Sequence, residues 1–202
     1  MERIKTRFDA EQFLKKKIKG SSFVRNPEKF MLHVTDIADI CRDIVIIIKK
    51  NYGEDFHVDL EEIEIAGILH DIGSVISQNE LHHSVIGAEY LENIGLPRIA
   101  KMISSHNFTK EILELKKFKD LNPDDFSGKT WNEIMITYAS FHCGDAGVIS
   151  FDEKFKRMYD NRDSFFKKVM KRGEIRVRKI CQAVDDLKWI KSDLLLRRFE
   201  FA

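Results

Sequence analysis

Residues 66–73 read Ala66-Gly67-Ile68-Leu69-His70-Asp71-Ile72-Gly73, an apolar run broken by an adjacent imidazole and carboxylate. Upstream, Asp59 and Glu62 open a helix that carries Leu60, Ile63, Ala66, Ile68 and Leu69 toward this pair, and Gly73 follows close behind. Neighbouring positions on a helix diverge by about 100°. His70 and Asp71 therefore share one centre only if it lies beside the helix end, or if two ions sit side by side.

Outward from this stretch, helix signals are dense and strand signals nearly absent. Asp9 with Gln12 resembles a capping box and Gly20 a stop, which predicts a basic helix over 9–19. Asn26 and Pro27 start a long helix to about Tyr52, ended by Gly53. A fourth helix runs from His83 to Asn93 before Gly95, and Pro97 starts a fifth that reaches His106. Thr109 caps a short helix through Phe118. The turns Asn122-Pro123-Asp124-Asp125 and Ser127-Gly128 make 107–129 a lid or connector. Thr130 with Glu133 caps a helix to His142, and Ser150 with Glu153 caps one to Arg172. After Gly173 a last helix carries Ile175, Val177, Ile180, Val184, Leu187 and Ile190 on one stripe. The predicted fold is all-α.

The chain has 202 residues, with 34 basic and 33 acidic side chains and a formal charge of +1. That balance excludes bulk-charge coating of nucleic acid or an anionic membrane. With 43% apolar residues and fifteen phenylalanines against three prolines, general disorder is excluded too. Cys41, Cys143 and Cys181 are odd in number and form no CxxC pair, which speaks against a disulfide framework or a cysteine zinc site and for a reducing cytoplasm. The basic first thirty residues lack the apolar core of a signal peptide, and the run Ile44 to Ile48 is far short of the ~20 residues a bilayer requires. A cytoplasmic protein without a membrane partner is expected.

His33, the His70-Asp71 pair, His83 and His106 each fall at a predicted helix end or early turn. Taken singly, each has a plain structural reading as a core histidine, a helix-end polar pair or a cation on a helix dipole. Taken together, they suit a divalent metal such as iron, manganese, nickel or zinc, because helix ends let ligands from separate helices converge.

The string Ala66 to Gly73, preceded by His33-Val34-Thr35-Asp36-Ile37-Ala38, resembles the HD superfamily of metal-dependent phosphohydrolases. The segment His83 to Leu91, then Gly95-Leu96-Pro97 and Ile99 to His106, is similar to its five-histidine, two-metal subset. The resemblance covers about residues 27 to 160 and implies a single all-α helical bundle. It divides the chain into an N-terminal helical extension (1–25), an HD domain (26–160) and C-terminal helices (161–202). Through Trp189, Leu194, Leu195, Leu196, Phe199 and Phe201, the last of these would pack on the core or on a second copy of the chain in a homo-oligomer.

The resemblance assigns His33, His70 and Asp71 to one ion and His83 and His106 to another, with Asp71 bridging. Asp71 and His70 are then also the catalytic pair. The cofactor is one or two divalent ions of iron, manganese, nickel, zinc or magnesium. His57, His82 and His142 remain outside the ligand set. Related sequences close the first site with an aspartate after Tyr-Ala or Leu-Ala, but here Thr137-Tyr138-Ala139 is followed by Ser140. Either that carboxylate is lost or Asp145 replaces it. Arg98 and Lys101, on the helix leading to His106, are candidate phosphate contacts. The implied substrate is a small phosphorylated metabolite or nucleotide. The other reading is a catalytically weakened module that binds a nucleotide or a protein partner.

Overall fold

A computed structural model describes residues 4–52, 57–78, 82–116, 121–144 and 147–186. Its helices are α1 (Arg7–Lys19), α2 (Pro27–Tyr52), α3 (Leu60–Leu69), α4 (Ile72–Ile76), α5 (His83–Asn93), α6 (Pro97–Ser104), α7 (Thr109–Lys116), α8 (Trp131–His142), α9 (Phe151–Asp160) and α10 (Ser164–Asp185). A 3₁₀ turn spans Pro123–Phe126. Two-residue strands, β1 (Cys143–Gly144) and β2 (Gly147–Val148), pair antiparallel in the α8–α9 connection. The architecture is all-α, and no helix among the described residues is long and apolar enough to cross a membrane.

The central helix is α3, in which Ile63, Ile65, Ala66, Gly67, Ile68 and Leu69 are all buried. Against it lies α2, whose Val34, Ile37, Ala38, Cys41, Ile44, Val45 and Ile48 recur at helical spacing and are buried. Gly67 sets how closely the two approach, since a Cβ there would lie 2.6 Å from the Ala38 Cα. On the other side, α1 buries Ala10, Leu14 and Ile18. Its Arg7 reaches both Asp39 on α2 (2.7 Å) and Glu64 on α3 (3.0 Å). Many of the phenylalanines gather elsewhere. Phe108 meets Phe141, Phe155 and Phe166 edge-on, joining the start of α7 to α8, α9 and α10.

Some expected boundaries move. The cap of α1 is Thr6, and Asp9 is its reciprocal partner at the third helical position, so the helix starts at Arg7 instead of after Asp9. The helix after Ser150 ends at Asp160, and a new cap, Asp163, starts α10, which runs unbroken through Gly173. Gly173 is not a stop but a point of contact, where a Cβ would meet Phe108 at 2.6 Å and Glu111 at 2.7 Å. Helix α6 ends at Ser104, leaving His106 in the turn beyond. The apolar C-terminal stretch from Leu187 onward, expected to cover the core or a second copy, lies outside the described residues, as does Gly53.

Gly67→Ala should lower stability by about 1–3 kcal/mol, because the intruding methyl meets α2 backbone and not a flexible side chain. Gly20→Ala, whose Cβ would have 3.7 Å of clearance, should stay within about 0.5 kcal/mol. Denaturant or thermal unfolding followed by circular dichroism checks both.

Candidate metal centre

The end of α3 and the start of α4 form one turn, with His70 as the C-cap of α3 and Asp71 at the N-cap position of α4. A residue at such a position ordinarily turns its carboxylate onto its own helix. Asp71 makes no cap hydrogen bond. Its Oδ2 instead faces His70 Nε2 at 3.3 Å and His33 Nε2 at 3.6 Å, while Oδ1 faces His83 Nε2 at 3.3 Å and His106 Nε2 at 3.4 Å. One carboxylate thus stands between two pairs of imidazoles.

The rings are aimed by acceptors behind them. His70 Nδ1 donates to the Gly67 carbonyl (2.8 Å) and His106 Nδ1 to the Ile103 carbonyl (2.6 Å), which turns each Nε2 toward Asp71. Behind His33 lies a thiol, with Nδ1 3.6 Å from Cys143 Sγ. Backbone packing brings the halves together, since a Cβ on Gly73 would fall 1.9 Å from the His83 carbonyl oxygen. Glycine at 73 lets α4 and α5 meet at backbone distance, which sets His83 beside Asp71.

Electrostatics follow burial and pairing. Burial would raise the Asp71 carboxyl, but the facing imidazoles, His70 foremost, hold it well below the usual range. Burial would lower His33, and its contacts with Asp71 and Cys143 reverse this to about 9. His106 is lowered to about 4, because burial and the charges of His83 and His70 outweigh Asp71.

Two sets of ligand atoms, His33 with His70 and Asp71, and Asp71 with His83 and His106, each lie within 4.8 Å of one another. Two ligands each about 2.1 Å from one ion, at tetrahedral to octahedral angles, stand about 3.0–3.4 Å apart. Facing atoms within these sets are separated by 3.0 to 3.6 Å. His70 Nε2 is buried without a hydrogen-bond partner, an omission a metal ion would repair. Four imidazoles and a shared carboxylate therefore fit one or two divalent ions. The nitrogen-rich set suits iron, nickel or zinc better than magnesium.

The other candidates fall elsewhere. Arg98 pairs with Glu62 at 2.8 Å and is 73% exposed in its side chain. The Lys101 ammonium donates to the Asp125 carbonyl and pairs with Glu133, so it braces the connector. Neither belongs to the imidazole group. Asp145 lies outside the described residues. His142 is buried and stacked on Tyr138, donating to that residue's carbonyl, and His57 is exposed.

Two residues that sequence reasoning passed over stand beside the group. Cys143 backs His33. Asn107, the residue after His106, has a φ of 58° and accepts a hydrogen bond from Ser140 Oγ at 3.1 Å. Asparagine enters the left-handed region more readily than most residues, but a single such position carries no signal in sequence.

A profile of the HD domain family matches residues 30–139, more than half of the chain. An uncharacterized protein of Methanocaldococcus jannaschii is 26% identical over 164 residues, covering 78% of this chain and 95% of its own. No solved structure matches.

In the metal-free chain His106 and His33 act on stability with opposite sign. His106 binds its proton more readily unfolded, at about 6.5, so native stability falls as pH drops from about 6.5 toward 4. The His33 contribution is complete below about 6.5 and is lost as pH rises through about 9. Thermal unfolding in chelator should peak near pH 6.5, with His106→Gln flattening the acid limb and His33→Gln the alkaline one.

Proposed function

The chain belongs to the HD domain family of metal-dependent phosphohydrolases, and from that membership we propose that it hydrolyses a phosphate ester of a small phosphorylated metabolite, a nucleotide foremost. The observation that carries this reading is the Asp71 carboxylate, whose two oxygens each face a pair of imidazole Nε2 atoms. Divalent ions held there by His33, His70, Asp71, His83 and His106 would supply charge neutralisation at the phosphate and lower the pKa of the attacking water.

The protein's own share is preorganisation. Carbonyl acceptors fix the tautomers of His70 and His106, and both rings are buried, so water is excluded from that side. The side chains of His33 and Asp71 keep 32% and 20% exposure, and that of His83 keeps 18%. A substrate phosphate therefore approaches from the His33 and His83 side. With a net charge of +1 and with Arg98 and Lys101 engaged elsewhere, anion recognition rests on the centre itself.

Ser140 supports a second reading, a module that binds a nucleotide or protein partner with weakened catalysis. Its hydroxyl is committed to Asn107 and supplies no carboxylate to the site.

Protein purified without chelator should carry bound divalent metal by elemental analysis, and His70→Ala should carry less; a metal-free wild type overturns the proposal. Turnover on a panel of phosphomonoesters, cyclic dinucleotides and dinucleoside polyphosphates should fall in Asp71→Ala by more than the roughly 10–100-fold typical of losing an outer partner. Absence of turnover with iron or manganese supplied, together with gained metal affinity in Ser140→Asp, would select the second reading.

A further inference from the structure

The turn that carries His106 is held from a helix beyond the family's matched segment. Arg176, midway along α10, lies outside residues 30–139 and has a side chain only 17% exposed. Its guanidinium forks onto the Glu111 carboxylate, with Nε to Oε1 at 2.7 Å and Nη2 to Oε2 at 2.9 Å. The same Nη2 donates to the Asn107 carbonyl at 2.8 Å, and Nη1 donates to the Ser127 carbonyl at 3.4 Å.

We infer that Arg176 is a positioning residue of the metal centre, locking the left-handed Asn107 so that His106 keeps its aim at Asp71. This rests on reading the imidazole group as a metal centre. Three observations converge on it. Asn107 holds a φ of 58°, a conformation that persists where its surroundings enforce it. The Arg176 bond falls on the backbone oxygen of that residue. The neighbouring groups are fixed as well, since Thr109 Oγ1 donates to the His106 carbonyl at 2.8 Å and Ser140 Oγ to Asn107 Oδ1. With His106 Nδ1 bound to Ile103, the ring has little freedom to follow a shifting ion. Burial of the Glu111 and Arg176 pair keeps the anchor stiff, and Gly173, one turn before Arg176, lets α10 press against Glu111.

A second arginine provides the control. Arg172, also on α10, pairs with Glu114 on α7 at 3.0 Å and so joins the same two helices without touching the His106 turn. If joining the helices were all that mattered, the two pairs would act alike.

Removing Arg176 alone leaves the Glu111 charge buried and unpaired, which costs folding stability by itself. The test therefore uses Glu111→Leu/Arg176→Met, which removes both charges, and Arg176→Lys, which keeps a positive charge but not the fork. Cobalt(II) binding by titration, with folding followed by circular dichroism, is compared with wild type and Arg172→Met. Both test variants should remain helical and bind cobalt roughly 10–100-fold more weakly, the usual cost of losing an outer partner, while Arg172→Met binds as wild type does. Wild-type affinity in a folded double variant and in Arg176→Lys overturns the inference and leaves the metal reading standing. A wild type that binds no cobalt overturns both.

Discussion

A carboxylate held at a helix junction and largely withdrawn from water must be compensated, and in this fold that requirement organises the middle of the molecule. Asp71 is held ionised by imidazoles arriving from α2, the α3 end, the start of α5 and the turn after α6. An unpaired carboxylate so withdrawn from water would either take up a proton or destabilise the chain. Four segments must therefore converge to within 3.3–3.6 Å of one side chain, and much of the packing serves that convergence. Gly67 lets α2 close on α3, and Gly73 lets α4 meet α5 at His83.

The compensation is uneven. His70 and His106 are buried and tied to carbonyls in their own segments, so their Nε2 atoms point inward whatever occupies the site. His33 has a thiol behind it at 3.6 Å and is partly exposed, a looser hold on the half that carries the raised imidazole. A centre whose buried rings are fixed in this way can accept ligands at its open side without disturbing the buried one.

The helices were legible because their signals are local, and the order of the histidines and the aspartate stands out in the sequence for their chemistry. Caps such as Thr130 with Glu133 and Ser150 with Glu153 write themselves into spacings of three residues, and the structure places them as caps. His33, His70, Asp71, His83 and His106 are chemically distinctive residues at helix ends, and they meet. What escaped reading depends on tertiary approach. Gly173 has the sequence look of a stop, but its neighbours Phe108 and Glu111 make it a contact inside a continuous helix. Arg98 and Lys101 sit near His106 along the chain, yet their partners Glu62, Asp125 and Glu133 turn them elsewhere. Cys143 and Asn107 acquire meaning only from what lies across the fold.

The last turn of α8 shows how Ser140 belongs to its surroundings. Three residues apart, Ser140 and Cys143 reach different halves of the centre, the hydroxyl to Asn107 beside His106 and the thiol to His33. At position 140 a hydroxyl can donate, and Asn107 offers it an acceptor oxygen. A carboxylate there would set acceptor against acceptor until the Asn107 amide turned its NH₂ inward. Serine at 140 and asparagine at 107 are thus a matched pair, braced on the far side by the Arg176 bond to the Asn107 carbonyl. Among the described residues, the charge that the ligand groups share comes from Asp71. Its two oxygens are divided between the halves, so an ion in one half draws on the same charge that the other needs.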